Sequence, residues 1–210
     1  MSARIVVLGG GGHGRVVIDA LLAAGNSVAG VVDPDPAVAA RLPRGIPYLG
    51  GDDALATADR AAVVLAIGVG AVDVPRRRRS IFERYREMGF RFVTVIHPAA
   101  VRAADALLDE GVQVLAGAVL QPGCRLGANA LVNTRALVEH DAVVEDHACI
   151  SPGALLAGGV HIGTAAFVGI GAAVLQDVRI GAEAMVAAGA VVIADVPPGA
   201  RVAGVPARPM

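Results

Sequence analysis

Residues 130–147 read ALVNTR-ALVEHD-AVVEDH, three hexads in step, and the same beat of six holds from residue 106 to residue 192. Counting by six from Leu108 lands on Val114, Leu120, Leu126, Val132, Val138, Val144, Ile150, Leu156, Ile162, Val168, Val174, Ile180, Val186 and Val192, and all fifteen positions are aliphatic. Two residues before each stands a small or narrow side chain, from Ala106 and Val112 through Cys124 and Ala142 to Ala190. A period of six matches neither the 3.6 of a helix nor the simple alternation of a flat strand. It suits a coil of three flat faces, in which each hexad supplies a short strand and a corner and stacks on its own kind. The aliphatic residue points into a triangular core, and each strand pairs with the same face one turn below, about 4.8 Å away. Glycines fall where corners are expected, at Gly111, Gly117, Gly123, Gly153, Gly159, Gly171 and Gly189. With three hexads per turn, residues 106–197 make roughly five turns of a parallel β-helix.

The rest of the composition narrows the class. The 210 residues allow one large or two small domains. A net charge of −1 speaks against nucleic acid or an anionic membrane as partner. Hydrophobic residues reach 55% without a tryptophan, a bias toward Ala and Val that thin β-helix layers favour. Apolar runs are broken by glycine well short of the roughly 20 residues of a membrane-spanning helix. Met1-Ser-Ala-Arg-Ile-Val-Val-Leu enters a glycine loop with no cleavage signature, so a cytoplasmic protein is expected. Cys124 and Cys149, the two cysteines, lack partners at metal or disulfide spacing and read as packing residues.

Upstream of the repeat the pattern changes. Residues 3–9 read as a buried strand, 9–14 as a glycine turn, and 15–24 as a helix. Val28–Val32 gives a second strand ending at Asp33, and Val63–Ile67 another, stopped by Gly68. A helix over 75–88 and a last strand over 92–96 complete a small parallel α/β sheet, a half-Rossmann-like domain of residues 1–97. His97-Pro98 then passes the chain to residues 98–210. The loop satisfies G-x-G-x-x-G through Gly9, Gly11 and Gly14, with Asp33 about 20 residues on. A full dinucleotide fold needs two such halves, and only 97 residues precede the repeat. Phosphate on the helix N-terminus, as part of a nucleotide diphosphate carrying something small, fits better. A glycine turn serving only tight strand–helix packing is the plainer alternative.

Both halves, in this order and size, resemble the sugar O-acyltransferases and nucleotide-sugar 4-N-acetyltransferases, a family that includes sialic acid O-acetyltransferases and enzymes acetylating UDP- or GDP-linked 4-amino-sugars. The motifs that carry the resemblance are Gly-Gly-Gly-Gly-His-Gly-Arg-Val-Val (9–17), Ile96-His97-Pro98, Asn133-Thr134, Glu139-His140-Asp141, Gly158-Gly159 and Gly204-Val205-Pro206-Ala207-Arg208. The resemblance implies a left-handed hexapeptide-repeat β-helix and an acetyltransferase using acetyl-CoA as co-substrate, with no metal and no covalent acyl-enzyme. It implies a homotrimer with CoA in the groove between prisms, acting in surface-polysaccharide or glycan biosynthesis. The reaction implied is N-acetylation of a nucleotide-linked 4-amino-sugar, with O-acetylation of a sugar hydroxyl, as in sialic acid, the alternative.

The resemblance also assigns roles. His140 falls on the family's general base, a role that suits an imidazole titrating near the working pH. Asp141 would hold its ring, which requires a corner, because neighbours on a strand point to opposite faces. Gly158 matches the glycine whose N–H meets the thioester carbonyl. Asn133, His147, Ile170 and Ala188 are the expected acetyl-CoA contacts, with Arg208 pairing a CoA phosphate. Gly9, Gly11, Gly12, His13, Asp33 and Gly68 would hold the acceptor, with His13 aimed at the sugar, Asp33 at the ribose or base, and Gly68 beside the diphosphate. His161 has no family role and reads as a structural or surface residue. After Gly68 the chain departs from the family's shorter segment, and Arg76–Arg79 either reach an anionic acceptor or form a solvated face.

Overall fold

The computed structural model describes residues 4–210 and divides into a parallel α/β sheet and a triangular parallel β-helix. The sheet has strand order β3-β2-β1-β4-β5, with β1 at Arg4–Leu8, β2 at Val28–Val32, β3 at Tyr48–Gly50, β4 at Val63–Ile67 and β5 at Arg91–Phe92. The strand expected over 3–9 thus spans Arg4–Leu8, and Met1 to Ala3 lie outside the described residues. Helix α1 runs Gly12–Ala23, beginning inside the glycine loop rather than at Arg15. Arg15 N donates to Gly11 O, so the first turn forms across residues whose propensity is poor. Helix α2 covers Arg76–Glu87. Strand β3 went unforeseen because it is a three-residue edge between Pro47 and Gly51, too short for periodicity to register.

The expected strand over 92–96 is two strands in two sheets. Arg91–Phe92 pairs with β4, and Val93 N donates to Leu65 O. Two residues later Val95 N donates instead to Val112 O, and Val95–Ile96 pairs with Gln113–Val114 as the first rung of the β-helix. A continuous apolar run conceals this change of partner, since both strands need the same side chains.

The β-helix has three faces, with successive rungs as far as Val192 offset by eighteen residues. Face one carries Val95–Ile96, Gln113–Val114, Leu131–Val132, Cys149–Ile150, Phe167–Val168, Met185–Val186 and Arg201–Ala203. Face two stacks Val101–Arg102, Val119–Leu120, Leu137–Val138, Leu155–Leu156, Ala173–Val174 and Val191–Val192. Face three stacks Leu107–Leu108, Arg125–Leu126, Val143–Val144, His161–Ile162 and Arg179–Ile180. From Gln113–Val114 to Val191–Val192 the second residue of each strand points inward, and these hexad aliphatics are buried, along with the small residues two places before them. Each such side chain contributes about 1.5–3 kcal/mol by leaving water, an upper range for the smaller ones.

Every sixth residue from Gly111 to Gly189 takes a positive φ, and this is how each corner turns. Seven are the expected glycines; the other seven are Asn129, Arg135, Asp141, His147, Ala165, Asp177 and Glu183. Left-handed backbone at non-glycine residues costs about 1–2 kcal/mol each and is held here by the ladders on either side.

The outer side chains of the three faces meet different surroundings. Face one is covered by α1, so that Val17, Ile18 and Leu21 share a core with Leu131, Cys149 and Phe167. Helix α2 lies over the edge between faces three and one, where Arg76 and Arg79 approach Glu183. Face two is open. Its outer row is Val101, Val119, Leu137, Leu155, Ala173 and Val191, aliphatic throughout, with Val101 61% and Leu155 46% exposed.

Candidate active site

The glycines of the first loop do two different jobs. A side chain on Gly14 or on Gly68 would run into the carbonyl oxygen of Gly9, so these three glycines let strand, helix and neighbouring strand meet backbone to backbone. Gly11 and Gly12 face open space, and α1 starts at that opening without a side-chain cap. Its first N–H groups are therefore free for an anion. Asp33 fixes the loop from the next strand: Oδ2 accepts from Gly10 N at 2.7 Å and Oδ1 from Asp35 N at 2.9 Å.

Two cavities flank this loop. The first, about 180 Å³, lies at the carboxyl ends of β1 and β2 and is lined by Gly9, Asp33, Arg77, Ser80 and Arg84 among others. That is the crevice where an open parallel sheet takes a nucleotide. The second, about 770 Å³, lies between the loop and the edge joining faces one and two. His13, Gly70 and Val72 form one wall; Asn133, Ser151, Ile170 and Ala188 form the other, over Phe167 and Met185. The expected acceptor residues thus divide, Gly9 and Asp33 in one cavity and His13 in the other. Gly68 corrects the expectation: it lines neither cavity and is buried under Gly9, because the backbone approach leaves it no free face.

His140 and Asp141 stand on another edge, between faces two and three. Asp141 occupies a left-handed corner, φ 59°, which swings its carboxylate to the same side as the preceding ring. His140 Nδ1 lies 2.9 Å from Asp141 Oδ2, and this bond holds the imidazole pKa above its ordinary value. One rung on, Gly158 faces the ring: a Cβ there would sit 2.5 Å from His140 Nε2. One rung back, a side chain on Gly123 would sit 2.6 Å from Asp141 Oδ1. The pair lies in a glycine tray. Gly159 N donates to His140 O, while Gly158 N–H has no partner among the described residues. His140 and Asp141 side chains are 57% and 75% exposed, so this edge is one wall of a site that needs another.

Gly158→Ala is expected to push the imidazole aside and lower turnover by about 10- to 100-fold, the usual result of misplacing a catalytic group by an ångström. The melting temperature should hold, since Gly158 is not one of the positive-φ glycines. Full activity in this variant would mean that the ring does not work from this position.

His147 is a second correction. The hexad order carries it to the edge between faces three and one, beneath α2, away from both Asn133 and His140. Its Nδ1 lies 3.0 Å from Asn129 Nδ2, its ring meets Phe82 edge-on, and burial lowers its pKa. The count of hexads places Asn133, His140 and His147 on three different edges, and the structure shows which of them α2 covers. Arg208 is exposed on the terminal strand, its Nη1 donating to Ala207 O. His161 pairs with Glu145 on face three, 2.6 Å away. Cys124 and Cys149 are buried, and burial raises both thiols to about 11.

The Arg76–Arg79 run resolves into three environments. Arg76 and Arg79 face Glu183, Arg77 lines the smaller cavity, and Arg78 is fully buried between the two domains. Sequence reading missed Arg78 and its partner Gln113. Gln113 had a signal: it is the polar member of an otherwise apolar outer row beneath α1.

Residues 4–85 match the PglD N-terminal domain family. A variant of GDP-perosamine N-acetyltransferase from Caulobacter crescentus, solved with CoA and GDP-perosamine, superposes with a TM-score of 0.90 at 37% identity, over 100% of this chain and 98% of that one. This chain belongs to the hexapeptide-repeat sugar acetyltransferases. The acetyltransferase domain of PglB from Neisseria gonorrhoeae, solved with acetyl coenzyme A, agrees at 34% identity and a TM-score of 0.89, over the whole of both chains. WeeI from Acinetobacter baumannii shares the fold at 23% identity and a TM-score of 0.78. The acetyltransferase therefore has the expected fold class, a half-Rossmann-like domain followed by a left-handed parallel β-helix. Among its described residues, no helix is long and apolar enough to cross a membrane.

Proposed function

We propose that this acetyltransferase moves the acetyl group of acetyl-CoA to the amino group of a nucleotide-linked 4-amino-sugar, in the cytoplasm, for glycan biosynthesis. The observation that carries the reading is the His140–Asp141 pair, bonded at 2.9 Å with Nε2 over Gly158, in a chain similar end to end to an N-acetyltransferase solved with CoA and a nucleotide-linked sugar. The nucleotide sits in the crevice of Gly9 and Asp33, with the α1 N-terminus and its open Gly11 and Gly12 toward the diphosphate. The sugar reaches the larger cavity beside His13, and acetyl-CoA runs past Asn133, Ile170 and Ala188. The amine attacks the thioester carbon, the C–N bond forms, and the C–S bond breaks. His140 Nε2 takes the proton that the amine sheds and returns one to the departing thiolate. Gly158 N–H meets the oxyanion.

The working unit in this reading is a homotrimer. His140 and His13 lie on opposite edges of face two within one chain, so neither edge is a complete site. Around a three-fold axis lined by face two, the His140 edge of one copy meets the Asn133 edge of the next. Face two suits that contact because its outer row is aliphatic throughout, whereas face three carries Arg125, His161 and Arg179.

Thiol release from acetyl-CoA, measured against UDP-, GDP- and dTDP-4-amino-sugars and sialic acid, tests the reaction. Turnover is expected with one of the amino-sugars. Turnover only on hydroxyl acceptors would replace N-acetylation with O-acetylation.

A further inference from the structure

Arg78 is an anomaly at the join between the two domains. Its guanidinium is fully buried with no carboxylate against it, and Nη2 has no hydrogen-bond partner among the described residues. Burial pulls its pKa down to about 10, so it remains a cation at neutral pH. Leaving a buried charge unpaired is costly, and such a group calls for a role beyond packing. Its remaining bonds show where it acts: Nε donates to Asn129 O at 3.4 Å, and Nη1 donates to Val69 O at 3.0 Å and to Gln113 Oε1 at 3.1 Å.

Gln113 is in turn held at both ends. Its Nε2 donates to Ile67 O at 2.7 Å, while its Oε1 receives the guanidinium, which offers only donors. Two independent partners therefore fix the same orientation of the carboxamide. That same Oε1 lies 3.0 Å from His13 Nε2. A carbonyl oxygen can only accept, so Nε2 must carry the ring proton. Burial, and then the nearby Arg78 charge, lower the His13 pKa to about 4, which leaves the ring neutral with its lone pair on Nδ1. Nδ1 lies on the side of Gly70, and both residues line the larger cavity.

We propose that Gln113, gripped by Arg78 and the Ile67 carbonyl, is a positioning residue that locks His13 as its Nε2–H tautomer and presents Nδ1 to the acceptor sugar as a hydrogen-bond acceptor. The assignment to the sugar rests on the acceptor site proposed above. It makes the site selective for a donor, a hydroxyl or amine hydrogen, at that point of the acceptor. It also separates the two histidines: His13 orients, and His140 takes the proton.

Nitrogen-15 imidazole spectra of the substrate-free protein test the lock directly, with His13→Asn supplying the assignment among the five histidines. At pH 7 the wild-type His13 is expected as the neutral Nε2–H form, and Gln113→Met as a mixture of tautomers. The same variant should raise KM for the acceptor by about tenfold, the weight of one well-placed hydrogen bond, with kcat and the KM for acetyl-CoA unchanged. An imidazolium or an Nδ1–H ring in the wild type would overturn the proposal, whether or not the variant folds. So would a folded Gln113→Met with the wild-type acceptor KM. Absence of turnover on every sugar tested would instead remove the acceptor assignment, while the spectra still decide whether Gln113 sets the tautomer.

Discussion

His140→Ala is expected to lower kcat by about 10²- to 10⁴-fold, the range that a lost general base costs, and to leave CoA binding and the melting temperature unchanged. The fold should be indifferent because the side chain is more than half exposed and packs into no core. Turnover near the wild-type rate would remove His140 from the chemistry. The pH profile supplies a second reading. A base works only when deprotonated, so the rate falls as pH drops through the His140 pKa. The Asp141 carboxylate, bonded to the ring, raises that pKa. Asp141→Asn removes the charge, so the acid limb of kcat/KM moves to lower pH while the plateau drops, because the imidazolium formed in the transition state loses its partner. An acid limb that stays in place would show that another group titrates there.

Leu155→Glu is expected to abolish both assembly and activity. In the trimer proposed here this position lies between copies, where an unpaired carboxylate costs about 3–5 kcal/mol. In one chain it is a half-exposed outer position of face two, where a glutamate is tolerated. Sedimentation should therefore show folded monomer, and thiol release should fall at least about a hundredfold, since an incomplete site lacks the positioning that one wall cannot give. A fully active monomer would refute the shared site. Mixed assembly gives the converse test. Chains carrying His140→Ala, co-expressed with chains carrying His13→Ala, regain intact pairings at about a quarter of the junctions if each site draws on two copies. They regain none if both histidines serve within one chain.

Much of this was legible in advance because the β-helix writes its geometry into local chemistry. One inward aliphatic residue per hexad is needed at every rung, and a missing one would leave a void, so the period is visible from Leu108 to Val192 without a structure. The glycine loop is equally readable, since only glycine allows Gly9, Gly14 and Gly68 to meet at backbone distance. Glu139-His140-Asp141 and Gly158-Gly159 were recognisable as motifs. Their mutual approach also follows from the repeat, because eighteen residues separate His140 from Gly158 and that is one full turn.

What resisted reading were the choices that depend on which neighbour a side chain meets. His147 and Asn133 both fall at corners of the repeat, yet one is buried under α2 and the other faces a cavity. Residues 92–96 form one apolar run but serve two sheets. Arg78 stands among four arginines, and nothing in its sequence neighbourhood marks it as the one to be buried. The sequence by itself determined the repeat and the half-Rossmann-like sheet, because periodicity and backbone sterics act over a few residues, whereas the His–Asp pair was singled out by the resemblance of Glu139-His140-Asp141 to a family motif. Only the tertiary structure decided the two cavities, the open aliphatic face and the Arg78–Gln113–His13 chain. Those depend on how α1 and α2 dock against the prism, a contact between residues 35 to 100 positions apart that no local pattern encodes.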